Sequence, residues 1–416
     1  MLNNIRHKVY AILRASEKYT GTDMVYLAKG GAWLLSGQFI FSLSAFLLAI
    51  VFANFLPKET YGVYKYILSI TGILAISTLS GMGTAVTQSV ARGYEGSFLS
   101  ALKEKIRWGL LGSLIGLGMA IYYFYKNDNI LAFAFIVASI FLPLMDPFGL
   151  YASFLNGKKR FDVSTKYIGV SQIVISIFLV TALISTKNVF TILFAYFAGW
   201  TLLRFIFLKK TIKNFPPNEK IDATTISYGK HLSLLGVLGI LAENLDKILL
   251  WHYLGGASLA IYTIAQAPIN QISALFKNLL PLSFPKLAVA ENENIKKSLP
   301  KKMAKLFIVI AISTVSYIIL APFFYKIFFP QYLDSIKYSR LMALVLLFFP
   351  QKFIGMTLEA KACKKFLYIL QFSSSTLRII LYLVLLPIYG IYGAIAANLI
   401  PYLWNALLQF YFLQKF

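Results

Sequence analysis

Long apolar stretches follow one another along almost the whole chain, and they do not alternate strictly with polar residues as a half-exposed strand would. Each stretch holds about 20 residues, enough for a helix to cross the roughly 30 Å hydrocarbon core of a bilayer. Charged residues, glycine and proline mark the breaks between the stretches. The pattern predicts an all-α polytopic membrane protein with twelve spans, at residues 30–53, 62–87, 106–125, 130–155, 164–184, 189–208, 230–252, 258–285, 303–323, 338–358, 366–386 and 388–412.

Composition and charge add an orientation to this pattern. The 416 residues are 58% hydrophobic, with a mean hydropathy of +0.69 and a net charge of +24. In a soluble protein, a charge this positive would suggest nucleic-acid binding. Here the lysines and arginines are concentrated in every second break between spans, so we expect no nucleic-acid partner. By the positive-inside rule, the basic breaks and both termini are cytoplasmic. Residues 1–29 lack the apolar core of a signal peptide and are expected to lie at the membrane surface.

An internal repeat divides the chain. The segment FLPKETYGVYKYILSI at 55–70 aligns with YLGGASLAIYTIAQAP at 253–268, an offset of 198 residues. In both segments a short turn precedes a tyrosine, Tyr64 or Tyr262, at the start of the next span. The repeat predicts two six-helix bundles related by a pseudo-two-fold axis along the membrane normal, with a substrate path between them. The corresponding divisions are an N-terminal segment at 1–29, bundles at 30–210 and 230–416, and a cytoplasmic linker at 211–229.

Three charges interrupt the seventh span: Glu243, Asp246 and Lys247. A charged residue at the centre of a spanning helix costs about 2.5–3.5 kcal/mol, against a gain of only about 0.3–0.6 kcal/mol for a leucine or isoleucine. One interpretation is a self-satisfied ion pair between Glu243 and Lys247, which are four residues apart. The other is a hydrated path or a coupling-ion site for H⁺ or Na⁺, in which two nearby carboxylates carry a proton.

Polar residues recur at every third or fourth position on one face of two further spans. Such stripes either join helices by hydrogen bonds or line a cavity. The stripe residues are Tyr262, Gln266, Asn270, Ser273 and Lys277 in the eighth span and Asn398, Tyr402, Asn405 and Gln409 in the twelfth.

Five basic residues also lie within spans or near their ends: Lys65, Arg204, Lys277, Lys352 and Arg378. If their side chains converge, the interior forms a cation-lined chamber suited to an anionic group such as a phosphate. Lys65, Arg204 and Lys277 could instead extend to the nearer membrane surface, whereas Lys352 and Arg378 are far from both ends of their spans.

Other chemistry is excluded by what the chain contains. The single cysteine, Cys363, and three histidines without ligand spacing exclude a multi-cysteine metal site, so we expect no metal and no cofactor. A membrane glycosyltransferase or polysaccharide polymerase would need a sizeable extracytoplasmic loop or a group of acidic residues near one surface, and the sequence has neither. We therefore expect a transporter and not an enzyme.

Four segments carry a resemblance to a known family. They are WLLSGQFIFSLSAFLLAIVFANFLPKETYGVYKYILSI at 33–70, GMGTAVTQSVARGYEG at 81–96, ENLDKILLWHYLGGASLAIYTIAQ at 243–266 and LPIYGIYGAIAANLI at 386–400. These segments resemble the Wzx-type polysaccharide flippases, the O-antigen and capsule translocases of the multidrug/oligosaccharidyl-lipid/polysaccharide exporter superfamily.

The resemblance implies a flippase of a bacterial inner membrane. Its substrate would be an undecaprenyl-pyrophosphate-linked oligosaccharide of lipopolysaccharide or capsule synthesis, moved from the cytoplasmic to the periplasmic leaflet by ion-coupled alternating access. Asp246 stands where the family has an acid in the seventh span. Membrane lipids, a polysaccharide polymerase and chain-length proteins are the implied partners. A multidrug exporter of the same superfamily and a lipid II flippase are the alternatives.

Overall fold

The computed structural model describes residue 14 and residues 24–277, 280, 287, 292–361 and 363–415, without the side chains of 24–32, 34 and 35. Most of the predicted surface segment 1–29 and most of the eighth span beyond 277 lie outside these residues. The part of the chain that the structure describes is almost entirely helical and contains no strand, so the predicted all-α class is confirmed.

Eight helical stretches are long and apolar enough to cross a membrane among the described residues, or nine if the bent pair α2 and α3 forms one span. Short 3₁₀ turns at 75–78, 330–332 and 343–351 connect some of the helices. The α-helices are α1 (Met24–Phe55), α2 (Lys58–Leu74), α3 (Met82–Ala91), α4 (Ser97–Tyr125), α5 (Asn129–Phe148), α6 (Tyr151–Gly157), α7 (Phe161–Ser185), α8 (Val189–Asn214), α9 (Thr225–Lys277), α10 (Asn292–Phe328), α11 (Ser335–Met342), α12 (Lys352–Ala360) and α13 (Lys364–Lys415).

Two glycines break the longest helices. Gly255 in α9 has φ 76° and Gly390 in α13 has φ 56°, values that glycine adopts at little cost because it has no Cβ. We call 225–254 and 256–277 the first and second arms of α9, and 364–389 and 391–415 those of α13. With the arms counted separately, each predicted span overlaps a helical segment, so the arrangement is consistent with twelve spans. Gly255 also stands opposite Pro57 in the repeat alignment, at the turn between α1 and α2.

The two halves of the chain meet along α2 and the first arm of α9. Small residues allow this close packing, as in many membrane helix pairs. A Cβ added to Gly62 would lie 2.1 Å from the backbone oxygen of Gly256, and one added to Gly81 would lie 2.6 Å from the backbone nitrogen of Ser233. A methyl group at either position would therefore push the halves apart.

Polar contacts fasten the end of this seam that is opposite the basic loops. The Asn54 amide donates to the Phe328 carbonyl over 2.9 Å, and the Gln331 amide donates to the Asn54 carbonyl over 3.0 Å. The rings of Tyr66 and Trp251 stack with centroids 4.7 Å apart. These contacts close the path between the halves at this end.

At the basic-loop end of the seam, the linker between α8 and α9 forms hydrogen bonds and ion pairs with the first half. Asp222 accepts hydrogen bonds from Thr224 and Ser89 and pairs with Arg92, which follows α3. The Thr224 hydroxyl makes the largest contribution to lowering the pKa of the Asp222 carboxyl, and Arg92 also lowers it. Lys230, near the start of α9, pairs with Glu104 of α4 over 2.6 Å.

Candidate functional site

A vestibule of about 820 Å³ lies mainly within the second half, at the basic-loop ends of several helices, and reaches the first half at Gly81 and Thr84. The first arm of α9 forms one wall, and α12 and both arms of α13 form the other. The polar and charged residues of its lining are Thr84, Tyr228, His231, Glu243, Glu359, Lys364, Tyr368, Gln371, Ser374, Ser375, Arg378, Asn405 and Gln409.

The vestibule carries charges of both signs. Glu243 is exposed to it and forms no ion pair among the described residues. Arg378 lies on the opposite wall, with its guanidinium 5.4 Å from the centroid of the Tyr402 ring. Because a carboxylate and a guanidinium face one compartment without neutralising each other, the vestibule can contact both hydroxyl donors and an anionic group.

Polar atoms in the vestibule wall are also left without partners. Arg378 Nε, Asn405 Oδ1 and Gln409 Oε1 are buried and have no hydrogen-bond partner in the described part of the chain. The Asn405 amide nitrogen, in contrast, donates to Ser374 Oγ over 2.9 Å. Each unsatisfied buried group costs roughly 1–3 kcal/mol. A rearrangement or a polar ligand that reaches these atoms is therefore favoured.

Asp246 is the centre of a hydrogen-bond chain that leads away from the vestibule. Its carboxylate is 3% exposed and accepts from the Tyr262 hydroxyl over 2.7 Å and from Lys247 Nζ over 3.1 Å. The Asn398 amide in turn donates to the Tyr262 oxygen over 3.0 Å. The chain connects both arms of α9 to the second arm of α13.

Glu243 and Lys247, whose pairing was one of the two interpretations of the seventh span, do not form an ion pair in the structure. Lys247 Nζ donates to the backbone oxygen of Glu243 over 2.7 Å and to the Asp246 carboxylate, while the Glu243 carboxylate faces the vestibule. The four-residue spacing permits the pair, but the buried Asp246 gains more from a counter-charge than a hydrated Glu243 does. The two acids therefore lie in different surroundings, Asp246 in protein and Glu243 in the vestibule.

A second compartment, the inner cavity, lies within the second half. It has a volume of about 240 Å³ and contains Lys277 and Lys352, neither of which forms an ion pair with any described residue. No described aspartate or glutamate lines it. Its polar lining is Gln266, Asn270, Ser273, Lys277, Lys352, Asn398 and Tyr402, so four of the five residues of the eighth-span stripe and two of the four of the twelfth-span stripe face one cavity.

Tyr402 connects the two compartments. Its ring lines the inner cavity and also contacts Arg378, which lines the vestibule. Asn405 and Gln409, the next residues of the same stripe, line the vestibule. The second arm of α13 therefore presents its polar face to both compartments, and rotation of the Tyr402 ring would change the barrier between them.

Two of the five predicted basic residues lie elsewhere. Arg204 donates to the Met145 carbonyl over 2.8 Å and lies 4.9 Å from the centroid of the Trp200 ring. Lys65 Nζ lies 5.2 Å from the Tyr61 ring and 5.7 Å from the Tyr64 ring. The five bases therefore do not converge in one chamber: Arg378 is in the vestibule, and Lys277 and Lys352 are in the inner cavity.

The sequence interpretation missed an ion pair in the first half whose lysine is buried. Lys105 is 4% exposed, pairs with Asp146 over 2.8 Å and donates to the Leu79 carbonyl. The Thr78 hydroxyl donates to the same carboxylate over 2.6 Å. The predicted span at 106–125 left Lys105 in the preceding break, whereas α4 begins at Ser97 and includes Lys105. The available signal was Asp146, an embedded acid without a base in its own span.

Comparisons with known proteins agree on the fold. The chain is similar to the lipid II flippase MurJ in an inward closed conformation, with a TM-score of 0.72, 17% identity, and coverage of 92% of this chain and 87% of that one. It is similar to a MOP superfamily transporter from Pyrococcus furiosus, with a TM-score of 0.61, 13% identity, and coverage of 93% and 95%. At such identities the likeness shows the fold alone.

Sequence comparisons give the family. An uncharacterized membrane protein of Methanocaldococcus jannaschii is 22% identical over 429 residues, which cover 93% of this chain and 84% of that protein. The polysaccharide biosynthesis protein family matches residues 27–288, more than half of the chain and including α9 with Asp246. The chain thus belongs to the polysaccharide biosynthesis protein family, with the helical architecture of the flippases and transporters named above.

Proposed function

We propose that this protein is a flippase that moves an undecaprenyl-pyrophosphate-linked oligosaccharide from the cytoplasmic to the periplasmic leaflet of a bacterial inner membrane. The observation that carries this proposal is the vestibule, a compartment with charged and polar side chains that borders both halves of a member of the polysaccharide biosynthesis protein family. Its volume of about 820 Å³ is within the roughly 300–1,000 Å³ typical of ligand sites.

The lining of the vestibule suits a sugar headgroup. Sugar hydroxyls donate and accept hydrogen bonds, and Glu243 together with the unsatisfied oxygens of Asn405 and Gln409 can accept them. Arg378 supplies a donor with a full charge for the pyrophosphate. The proposal gives Lys277 and Lys352 a second role, as the cations that the pyrophosphate meets when the Tyr402 ring moves.

The contacts at the end opposite the basic loops supply the gate. Translocation requires the path to open there after it closes at the vestibule. The contacts that must break are the stacking of Tyr66 on Trp251 and three polar contacts: Asn54 with Phe328, Gln331 with Asn54, and Lys58 with Asp334 over 3.5 Å. Exposed ion pairs and single hydrogen bonds each contribute only about 0.5–1.5 kcal/mol, so binding energy or an ion gradient can overcome them.

Asp246 is the proposed coupling site, and its surroundings fit a proton better than Na⁺. Lys247 Nζ and the Tyr262 hydroxyl already occupy the positions around the carboxylate that Na⁺ would need. Protonation of Asp246 would instead remove the charge that holds Lys247, and so free the ammonium group. The closed and open arrangements would then differ in where Lys247 lies.

The test is reconstitution of the full chain in liposomes with a fluorescent undecaprenyl-pyrophosphate-linked oligosaccharide. We expect the lipid to change leaflets faster than in empty liposomes, and a pH gradient to change the rate more than a Na⁺ gradient does. No movement above the empty control would overturn the proposal. A larger response to Na⁺ would overturn the choice of proton.

Two further arms decide between the alternatives. The similarity in fold to the lipid II flippase makes lipid II the second candidate, and movement of lipid II without movement of the oligosaccharide lipid would support it. Export of a cationic dye with no lipid movement would support the multidrug exporter.

A further inference from the structure

A groove of about 680 Å³ opens beside the vestibule, between the first arms of α9 and α13. Its wall is mostly apolar and includes Leu235, Leu238, Tyr368, Ile369 and Phe372. Leu235 lies about 15 Å along α9 from Thr225, at about 1.5 Å per residue. The groove is therefore at the depth of lipid chains, in the leaflet next to the basic loops.

The groove is continuous with the vestibule. His231, Leu235, Tyr368 and Gln371 line both compartments. Across these shared residues the lining changes from charged and amide side chains to hydrocarbon. Adjoining polar and apolar compartments match a ligand whose polar head and apolar chain are covalently joined.

On the other side of α9, a pocket of about 410 Å³ near the start of the helix is lined mainly by polar residues, among them Gln88, Arg92 and Thr225, and does not suit a lipid chain. Next to this pocket α9 packs so closely that a Cβ on Gly229 would lie 2.5 Å from Met82 Sδ. A Cβ on Gly81 would meet the α9 backbone at 2.6 Å. When the headgroup of a lipid occupies the vestibule, its hydrocarbon chain must pass between two helices to reach the bilayer. The groove is such a gap, between α9 and α13.

We infer that this groove is the lateral portal of the transporter and binds the polyprenyl chain of the lipid whose headgroup enters the vestibule. The inference rests on the proposed function for the identity of that lipid. In this inference Leu238, Ile369 and Phe372 contact the polyprenyl chain. The shared residues His231 and Gln371 lie at the boundary between headgroup and chain. Bulk phospholipid is the competing occupant.

The first test is photolabelling of the wild-type protein in lipid nanodiscs, which needs binding only. The probes are a polyprenyl-pyrophosphate saccharide and a phosphatidylethanolamine, each with a diazirine in the hydrocarbon chain. We expect the polyprenyl probe to label peptides spanning 231–238 and 368–373, and unlabelled polyprenyl substrate to suppress this labelling. Equal labelling by both probes, unaffected by competitor, would show bulk lipid and overturn the inference.

The second test compares two tryptophan variants of the same helix. Leu238→Trp fills the groove, whereas Leu234→Trp adds the same bulk at a position that is 72% exposed and does not line it. We expect Leu238→Trp to lower lipid transport at least tenfold and Leu234→Trp to leave it unchanged. Equal transport by Leu238→Trp and wild type would contradict the portal. If wild type moves no oligosaccharide lipid, the proposed function fails instead, and the photolabelling still decides the portal.

Discussion

Each half of the protein has a lysine paired with an aspartate, and the buried member is Lys105 in the first half and Asp246 in the second. The two pairs also differ in what surrounds them. In the first half, Lys105 and Asp146 come from different helices, α4 and α5, and Lys105 also holds the Leu79 carbonyl. Leu79 has φ 59° and lies at the 46° bend between α2 and α3. This pair fastens a bent helix to its neighbours, a structural role.

In the second half, Asp246 and Lys247 are adjacent in α9 and hold no second helix by themselves. The Tyr262 hydroxyl connects Asp246 to Asn398, a residue of the inner cavity, while Glu243 one turn away faces the vestibule. The comparison shows that a buried charge inside a membrane helix does not by itself mark function. The charges that border compartments are the better candidates.

The largest expected effect is on stability, in the first half. Asp146→Ala leaves the ammonium of Lys105 buried without its counter-charge, which we expect to lower the free energy of unfolding by about 3–5 kcal/mol. Thermal unfolding of the purified protein in detergent measures this. Lys105→Met with Asp146→Leu removes both charges and should restore most of the loss. If Asp146→Ala alone is as stable as wild type, the ion pair does not stabilise the bend between α2 and α3.

Next is transport in the second half. Asp246→Asn should lower the rate of lipid movement at least tenfold, because the amide cannot hold and release Lys247 through a change of charge. The melting temperature should fall by less than half of the drop seen for Asp146→Ala. Transport that stays at the wild-type rate and still follows the pH gradient would remove Asp246 from the coupling step.

The next effect on transport is expected at the bases of the two compartments. A hydrogen bond to a charged group contributes about 1.5–3 kcal/mol, so Arg378→Gln or Lys352→Gln should lower lipid movement by roughly 10-fold to 100-fold with little change in stability. Lys65→Gln is the matched control, since Lys65 lies over Tyr61 outside both compartments. Equal losses for all three variants would indicate a general effect of charge and not a site.

The single hydroxyl of Tyr262 should matter less. Tyr262→Phe removes one neutral donor to Asp246 and one acceptor for Asn398, and we expect a stability loss of about 1 kcal/mol. The pH dependence of transport should shift as well, because the carboxylate loses a partner. An unchanged pH profile would show that Tyr262 serves packing alone.

The smallest effect is expected at the protein surface. Glu293 and Lys297 form an ion pair of 3.8 Å with side chains 86% and 82% exposed. Water screens such pairs, so Glu293→Gln should change neither transport nor melting temperature. A clear transport defect there would show that the basic-loop end takes part in the cycle outside the two compartments.

Hydropathy predicted the helical segments, and three-to-four-residue periodicity predicted which residues of the eighth and twelfth spans share a face. Both follow from local geometry along one helix. The meeting of Lys277 with Lys352 and the separate positions of Arg204 and Lys65 depend on how helices pack and where they bend, which one sequence does not contain.

Lys105 and Lys247 show a second limit. Lys105 was missed because charge itself was used to mark where a span begins, so a charge inside the helix was counted as loop. The sequence left the partner of Lys247 open because spacing allows several contacts, and the burial of each acid decides among them.

The central claim, that the vestibule is a hydrated headgroup site, is tested most directly by thiol labelling. In a Cys363→Ser background, Gly239→Cys lies in the vestibule and Gly118→Cys on the exposed face of α4, and a Cβ at either glycine meets no atom within 4 Å. We expect a membrane-impermeant thiol reagent added on the basic-loop side to modify Gly239→Cys, with protection by the lipid-linked oligosaccharide, and to leave Gly118→Cys unmodified. An unreactive Gly239→Cys, or one that the substrate does not protect, would contradict the claim.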